Sequence, residues 1–392
     1  MNNALEGILV IELGTVLTAP LAGMMLADLG ARVIKVEHPN GGDPFRRHAG
    51  KLYSPHFASY NRNKESIQLD LQDEAGKADL LALLARADVL LENYRPGVMA
   101  RLGLTEEVLD AVNPRLVWCS ITGFGAEGPY RDRPCYDAVA LGLSGLASLM
   151  LDPARPAMNG PTISDNITGM YASYGILGAL MRRQRTGEGA RVEVNMLEAS
   201  IAFSPEGFAQ YTRLGAVPAP QTRVAISQSH AFPCADGGLV TVHLSSVEKF
   251  WQAFAAVIER PDLLEDSRFL SPELRTRHYA ALNEEVARTF RTRTRADWCE
   301  RLAASDVPFA PVNTIPEVMD DPQVRQSGTF YETEHPQNGR QVAIHRPVTI
   351  DGQRGPTTRP APVLGEHDAA IRAEFGLGWH GADLRFHLKG TP

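Results

Sequence analysis

Short apolar runs and amphipathic segments alternate along the first third of the chain. Ile8–Leu13 predicts a strand, and Arg32–Glu37 predicts a second one. Between them, Pro20–Leu29 predicts a helix, because proline stands in its first turn and Gly30 follows its end. A strand, a helix and a strand within about 30 residues form a βαβ unit, whose two strands lie parallel in one sheet.

The same alternation continues to the loop that ends near residue 125. Its further elements are strands at Ser66–Leu71, Asp88–Leu91 and Leu116–Ser120 and helices at Glu74–Ala87 and Leu104–Ala111. This order predicts an α/β fold, a doubly wound Rossmann-like domain with a parallel sheet. Ligands of such domains bind beyond the carboxyl ends of the strands, which here are the loops 14–18, 37–43, 92–97 and 120–125. The first of these loops lacks the GxGxxG pattern of dinucleotide-binding proteins.

The pattern changes beyond Glu206. Segment 218–228 has the composition of a linker, and the elements after it are a strand at Gly238–His243, helices at Val247–Ile258, Ala280–Phe290 and Arg295–Ala303, and an extended segment at Pro308–Asn313. We therefore predict a small α+β domain at 215–325. The large domain is predicted to comprise residues 1–205 and to be completed by 330–392, with strand-like pieces between 342 and 384.

Composition and charge exclude several classes of binding partner. Lys plus Arg number 39 and Asp plus Glu 46, for a net charge of −7, without a basic run, so neither nucleic acid nor an anionic membrane is an expected partner. The charge-free apolar stretch 138–151 is shorter than a membrane span. The N-terminus lacks the pattern of a signal peptide, and the four cysteines form no CxxC pair, so we expect a cytoplasmic protein. No HExxH or similar spacing among the 11 histidines predicts a metal site.

One carboxylate stands out near the middle of the chain. Ser164, Asp165 and Asn166 precede the uncharged run 167–180, which predicts a buried helix. These residue types are preferred helix caps, so one alternative is that they only accept a backbone N–H. The other alternative is that Asp165 is a poorly solvated carboxylate at the N-terminus of a helix, which can attack a carbonyl carbon and form a covalent intermediate.

The chain also resembles the class III CoA-transferases (the CaiB/BaiF, formyl-CoA-transferase-like family). The resemblance spans nearly the whole chain and is carried by six blocks in the family's order, which include GILVIELGTVLTAPLAG from residue 7, NRNKESIQLDL from 61, LLENYRPGVMARLGL from 90, GPYRDRPCYDAVA from 128, SDNITGMYASYG from 164 and APVLGEH from 361.

The resemblance implies an enzyme with no tightly bound cofactor that uses a coenzyme A thioester as substrate. It implies that Asp165 attacks an acyl-CoA donor to give an aspartyl anhydride and then an aspartyl-CoA thioester, which an acceptor acid resolves. We expect succinyl-CoA as donor and a small carboxylic or dicarboxylic acid as acceptor. An interlocked homodimer is implied, with Tyr171, Tyr174 and 138–151 as candidate interface residues. Contacts with CoA are implied at Leu17, Thr18, His38, Leu69, Asn93, Tyr94, Arg95, Arg101, Tyr136 and Asp137.

The chain departs from the formyl-CoA branch in three places. Leu17 replaces a glutamine, which argues against oxalate as the acceptor, and His38 replaces an arginine. The glycine-rich lid loop of that branch is missing, and the nearest segment is Ala225–Phe232, where Ser227, Gln228 and His230 are candidates for polar lid contacts. Arg46, Arg47 and Arg62 are candidates for holding a second carboxylate of the acceptor.

Two other functions stay open at this point. The first is an acyl-CoA racemase of the same superfamily, but the racemase histidine falls where this chain has Tyr136, whose phenol titrates near ~10. The second is a catalytically silent CoA-binding subunit with the same fold. Asp165 argues against the silent subunit, because a protein that only binds CoA does not need a carboxylate at that position.

Overall fold

A computed structural model of the chain describes residues 3–48, 53–245, 247–335, 338–355 and 358–379. The strands in these ranges are β1 Leu9–Glu12, β2 Arg32–Glu37, β3 Lys64–Gln68, β4 Val89–Glu92, β5 Val117–Thr122, β6 Ala190–Asn195, β7 Ser229–Pro233, β8 Leu239–His243, β9 Phe309–Pro311, β10 Phe330–His335 and β11 Gly339–Ile344. The α-helices are α1 Thr18–Asp28, α2 Pro55–Asn61, α3 Glu74–Leu84, α4 Val98–Arg101, α5 Glu106–Val112, α6 Asp137–Leu143, α7 Ser164–Thr186, α8 Met196–Phe203, α9 Pro205–Leu214, α10 Thr222–Ile226, α11 Val247–Val257, α12 Pro272–Arg277, α13 Tyr279–Phe290, α14 Arg295–Ala303, α15 Ile315–Asp320, α16 Pro322–Gln326 and α17 Asp368–Phe375.

Six strands form one parallel sheet in the order β3-β2-β1-β4-β5-β6. This is the strand order of the doubly wound dinucleotide-binding fold, and it confirms the predicted α/β class. The order reverses between β1 and β4, so the chain leaves these two strands towards opposite sides and opens a crevice beyond their carboxyl ends. The loops that follow Glu12 and Glu92 therefore border the place where a ligand is expected.

Both faces of this sheet are covered by helices, which explains why its central strands are almost wholly apolar. On one face, α1 and α7 pack with the strands through residues such as Ala22, Leu26 and Ile176. On the other face, α3, α5 and α17 contribute Leu83, Leu109 and Ile371. The 23-residue helix α7 thus lies against the sheet with its N-terminus directed by its packing on α1.

Several element boundaries differ from the sequence prediction. Strand β3 was predicted at Ser66–Leu71 but runs from Lys64 to Gln68, because these are the residues that pair with Val33–Glu37 of β2. Strand β6, ARVEVN, was not predicted, because its alternating charges mark an edge strand and not a buried central one. The short helices α2 and α4 were also missed, since helices of 7 and 4 residues carry little periodicity.

A second compact unit comprises residues 148–158 and 206–327. It contains the antiparallel sheet β7-β8-β9 and an aromatic core in which Phe290 packs between Phe232 and Trp298. The prediction of a linker at 218–228 is wrong in part, because this stretch includes α10 and the buried Ala225.

The segment Ala225–Phe232 does not form a free lid loop. It comprises the end of α10 and most of β7, which pairs with β8. The lid candidates Ser227, Gln228 and His230 are each less than a tenth exposed, so they serve the interior of the smaller unit.

The larger unit takes in the described residues of 1–147, 159–205 and 328–392. Its last part consists of the antiparallel hairpin of β10 and β11, followed by α17. Of the strand-like pieces predicted between 342 and 384, β11 and an isolated bridge between Ile350 and Gln353 are present, and residues 380–384 lie outside the described residues. Over the ranges that the structure describes, no helix combines the length and the apolar character needed to cross a membrane.

Candidate active site

A cleft of about 350 Å³ opens at the reversal point of the sheet. Its walls are the loop 15–18 after β1, residues 93–96 after β4, residues 121–123 at the end of β5, and the segment that leads into α6. Asp165 completes the cleft from the start of α7. The cleft therefore lies where parallel sheets bind their ligands, and it contains the carboxylate singled out by the sequence.

The backbone around Asp165 tests the capping alternative for this residue. Helix α7 starts at Ser164 after Ile163, whose side chain cannot cap, and no side-chain cap hydrogen bond is formed there. Asn166 bonds backward to Thr162 through its amide. The backbone N–H of Asp165 instead donates to the Asp137 carboxylate at 3.2 Å. The capping alternative is therefore wrong for Asp165, whose own carboxylate stays available to the cleft.

Burial and Asp137 together change the acidity of Asp165. Burial, and secondarily the negative charge of Asp137, raise the pKa of the Asp165 carboxyl to about 6. Near neutral pH the group is still mostly ionised, but it is more basic and less solvated than a free aspartate. Both properties favour nucleophilic attack.

The cleft has one other candidate nucleophile, the thiol of Cys135. Burial, and secondarily the charge of Asp165, raise the pKa of this thiol to about 11. A thiol with such a pKa is protonated at neutral pH and is a weak nucleophile. Asp165 is therefore the stronger candidate.

Asn93 holds the first loop against the end of β4. Its side-chain oxygen accepts the N–H of Thr15 at 2.9 Å, and its amide nitrogen donates to the Thr15 carbonyl at 2.8 Å and to the Thr18 hydroxyl at 3.0 Å. These three bonds join the two loops that border the reversal point. Asn93 thus fixes the shape of this wall of the cleft from its position directly after β4.

Eight of the predicted site residues meet at the cleft. Seven line it directly: Leu17, Thr18, Asn93, Tyr94, Arg95, Tyr136 and Asp165. The eighth, Asp137, contacts the backbone of Asp165. The side chain of Leu17 packs inward beside Leu21 and Met24, so this residue offers mainly its backbone to the cleft.

Three predicted CoA contacts do not line the cleft. His38 is exposed and lies 3.8 Å from Asp70. Arg101 is exposed at the last position of α4. The prediction for Leu69 is wrong as far as its side chain is concerned, because that side chain is 1% exposed and packs in the core of the sheet.

The arginines that were candidates for holding a second carboxylate of the acceptor do not line the cleft. Arg46 is fully buried and forms two hydrogen bonds to Glu37, so it cannot reach an acceptor acid. Arg62 is likewise bound to Asp28. The guanidinium of Arg47 lies against the Gly41 backbone, and a Cβ at Gly41 would overlap it. The prediction of a second-carboxylate site at these arginines is therefore wrong for Arg46 and Arg62.

Arg95, Arg131 and Arg133 line the cleft instead, and all three are exposed. The guanidinium of Arg133 stacks on the Tyr130 ring at 4.0 Å, which limits its motion. Arg131 and Arg133 were missed as individual residues, although they lie in the GPYRDRP block that marked the family. Exposed arginines in a loop give no sequence signal of their own.

Two functional groups are missing from the described part of the cleft. No histidine lines it. No group of three or more His, Cys, Asp or Glu side chains among the described residues is arranged to hold a metal ion. What the cleft does combine is one poorly solvated carboxylate and three guanidinium groups, which suits an anionic substrate attacked at a carbonyl carbon.

Comparison with known proteins gives a consistent result. The sequence profile of CoA-transferase family III matches residues 5–368. The human succinyl-CoA:glutarate CoA-transferase is 34% identical over 387 residues, which cover 95% of this chain and 87% of that protein. The acetyl-CoA:oxalate CoA-transferase of Acetobacter aceti is 34% identical over 377 residues, covering 94% and 95%. The crystal structure of a CaiB/BaiF family protein from Brucella suis superimposes with a TM-score of 0.85 at 31% identity, covering 96% of this chain and 100% of that one.

Proposed function

The chain belongs to CoA-transferase family III, and from that premise we propose that Asp165 is the nucleophile that moves CoA from an acyl-CoA donor to a small carboxylic acid. The observation that carries the proposal is a single carboxylate, raised in pKa by burial, in the ligand cleft of the sheet. An enzyme of this class needs one group that holds an acyl chain and CoA in turn. A desolvated carboxylate meets that need.

The proposed reaction has four displacements in which every bond broken is matched by one formed. An Asp165 oxygen attacks the thioester carbon of the donor, the C–S bond breaks, and CoA leaves as thiolate from an aspartyl–acyl anhydride. The thiolate then attacks the Asp165 carbonyl, which releases the donor acid and leaves an aspartyl-CoA thioester. The acceptor carboxylate attacks that thioester and again expels the thiolate. The thiolate finally attacks the acceptor carbonyl of the new anhydride, which gives acceptor-CoA and regenerates Asp165.

This sequence conserves the energy of the thioester, because a thioester and an anhydride are similar in free energy. Water would hydrolyse either intermediate, so the reaction depends on its exclusion from the cleft. Arg95, Arg131 and Arg133 support the proposal, since both CoA and the acceptor acid are anions that guanidinium groups bind well.

The relatives guide the choice of substrates. By its name, the human relative uses succinyl-CoA and glutarate, and the Acetobacter aceti relative uses acetyl-CoA and oxalate. We propose succinyl-CoA as the donor and a dicarboxylic acid of the glutarate type as the acceptor. Leu17, where the formyl-CoA branch has glutamine, gives no polar side chain to oxalate, so we expect oxalate to be a poor acceptor.

We also propose a homodimer, interlocked as in the family. A set of large apolar side chains is exposed on the single chain along α7 and its neighbour α6: Met170, Tyr171, Tyr174, Met181, Val139 and Leu143. An exposed apolar surface of this kind is typical of a protein interface.

The test is a panel of acids incubated with succinyl-, acetyl- and formyl-CoA, with new acyl-CoA species read by mass spectrometry. Transfer to glutarate-like acids that disappears in the Asp165→Asn variant supports the proposal. Incubation in deuterated water separates the alternatives. Exchange of the α-proton of a CoA thioester without transfer would instead indicate a racemase, and CoA binding without either reaction would indicate a silent subunit.

A further inference from the structure

We propose that Lys35 and Asp43 are positioning residues of the transfer reaction, because they hold the backbone of loop 14–17 in the cleft that contains Asp165. The inference rests on the proposed function of Asp165. Neither Lys35 nor Asp43 is among the described residues that line the cleft. Both therefore act through the loop and not on the substrate.

Lys35 is attached to the loop by one of its three donors. Its ammonium group donates to the Gly14 carbonyl at 2.6 Å and to Glu12 at 2.9 Å, and it lies 3.0 Å from Asp43. A lysine ammonium has three N–H donors and no acceptor, so these three partners account for all of them. The side chains of Lys35, Glu12 and Asp43 are fully buried. The buried ammonium group thus fixes the position of the Gly14 carbonyl, because that carbonyl is one of its three partners.

Asp43 holds the next part of the same loop. Its carboxylate accepts the N–H of Val16 at 3.1 Å and that of Phe45 at 2.9 Å, while its other oxygen faces Lys35. The Gly14 carbonyl and the Val16 N–H are therefore bound by the two members of a single buried ion pair. A displacement of either member would move the loop.

The loop needs this support because its backbone is strained at Val16. The φ angle of Val16 is +66°, in the left-handed region that β-branched residues rarely adopt. Such a conformation persists only where the surroundings determine it from several sides. Asp43 binds the N–H of this residue, and Asn93 binds Thr15 just before it. The loop is thus held at Val16 by the buried carboxylate of Asp43 and at Thr15 by the side-chain amide of Asn93.

The same network extends to the start of α1. Lys64 donates to Glu12 and to the carbonyl of Pro20, and it is 1% exposed. Gly23 allows α1 to approach this close, since a Cβ at that position would lie 2.0 Å from a Glu12 oxygen. Buried charge thus binds both the loop and the helix that follows it.

Stability of the fold does not by itself require these charges. Buried ion pairs can often be replaced by apolar side chains of similar volume without loss of stability. An apolar side chain, however, cannot bond the Gly14 carbonyl or the Val16 N–H. These charges hold the loop that lines the same cleft as Asp165, which points to a function in the geometry of the reaction.

The test compares two variants of the pair with a buried ion pair elsewhere in the same unit. Asp43→Asn keeps an oxygen acceptor for Val16 but removes the charge that faces Lys35. Lys35→Met removes the donor to Gly14 at similar length. Asp79→Asn is the matched control, because Asp79 is buried, bonds Arg372 at 3.0 Å and does not line the cleft. For each protein, kcat, the KM for acyl-CoA and the melting temperature are measured on the folded fraction.

We expect kcat to fall about 10- to 100-fold in both Lys35→Met and Asp43→Asn, with a much smaller change in KM. This is the size of effect expected when the loop, and with it the substrate, is displaced by about 1 Å. The control should lower the melting temperature while kcat stays within about twofold of the parent. If Lys35→Met does not fold, Val16→Gly is the substitute, because it frees the same loop without removing a buried charge, and a lower kcat is again expected. Unchanged kcat in the variants that fold, or an equal loss of kcat in the control, overturns the inference. Full turnover in Asp165→Asn would overturn the proposed function itself, which is a different outcome.

Discussion

The carboxylate of Asp137 accepts the backbone N–H of Asp165 at 3.2 Å. Two acidic residues that are distant in sequence are thereby held side by side at the start of α7. Asp137 takes the place of a helix cap, and its charge helps to raise the pKa of the Asp165 carboxyl. One contact thus leaves the Asp165 side chain free and also makes it a better nucleophile.

The rate of the first half-reaction should depend on pH through Asp165. Only the ionised carboxylate attacks, and its pKa is about 6, so the rate should be level above pH 7 and fall to about a tenth of its plateau at pH 5. Acetyl-CoA is the suitable donor, because its acyl group has no carboxyl that titrates in this range. Rapid-quench measurement of acetate release gives the profile, because acetate is the product that leaves while CoA stays bound to Asp165.

Asp137→Asn should move the acid limb of that profile to lower pH. The amide oxygen can still accept the N–H of Asp165, but the negative charge that opposes ionisation is gone. The midpoint should stay above that of a free aspartate, because burial is the larger cause of the raised pKa. An acid limb that stays at the same pH in this variant would show that the titrating group is not Asp165.

Asp165→Asn should make the protein more stable at neutral pH. A raised pKa means that the folded state binds a proton more tightly than the unfolded state, so the stability from Asp165 is present below its unfolded pKa and is lost as the pH rises through about 6. Asparagine avoids this loss. We expect a gain of about 1–2 kcal/mol at pH 7.5, reduced from the full shift because the group is partly exposed. Urea unfolding at pH 7.5 and at pH 4 measures it, and a gain of the same size at both values contradicts the explanation.

Arg131→Gln and Arg133→Gln should weaken substrate binding more than catalysis. Each removes an exposed guanidinium from the cleft, so the KM for acyl-CoA or for the acceptor acid should rise about fivefold to tenfold, while stability is unchanged. Steady-state kinetics with each substrate varied in turn shows which anion each arginine binds. Arg185→Gln, an exposed arginine at the far end of α7, is the control and should leave both KM values alone.

Gly169→Ala should reduce both activity and stability. Gly169 lies one turn after Asp165, and a Cβ there would be 2.8 Å from the Thr18 carbonyl, so alanine would push α7 away from α1 and the cleft loop. The matched control is Gly178→Ala on the same helix, where a Cβ meets nothing within 4 Å and alanine should stabilise the helix by about 1 kcal/mol. Thermal unfolding and transfer rates compare the two. A loss of stability in Gly178→Ala would indicate that a second chain covers that face of α7.

Much of the large domain could be predicted from sequence, because its strands and helices are determined by residues that are close together in the chain. The strands β1, β2 and β4 are short apolar runs bounded by turn residues. The uncharged run after Asp165 forms the predicted helix, but one face of it, with Met170, Tyr171 and Tyr174, is exposed in the single chain and not buried as predicted. Loops after such strands meet at one edge of a parallel sheet, so the position of the cleft followed from the strand order alone.

The remaining features depend on contacts between residues that are distant in sequence. Lys35 alternates with apolar residues in β2 and has the pattern of an exposed strand position, yet it is buried because Glu12 and Asp43 are folded against it. Arg46 is a candidate for binding a substrate carboxylate on sequence alone, but in the fold its guanidinium is paired with the buried Glu37. Local propensity also favoured a linker where α10 forms. Pairing partners of this kind have no signature in a single sequence.

The most direct test of the account is to look for the covalent intermediate on Asp165. The enzyme is mixed with succinyl-CoA and treated with hydroxylamine, which attacks an aspartyl thioester or anhydride and leaves a hydroxamate on that side chain. Peptide mass spectrometry should place the hydroxamate on Asp165, and it should be missing without succinyl-CoA and in Asp165→Asn. A modification on any other residue, or none at all while CoA transfer proceeds at full rate, would contradict the account.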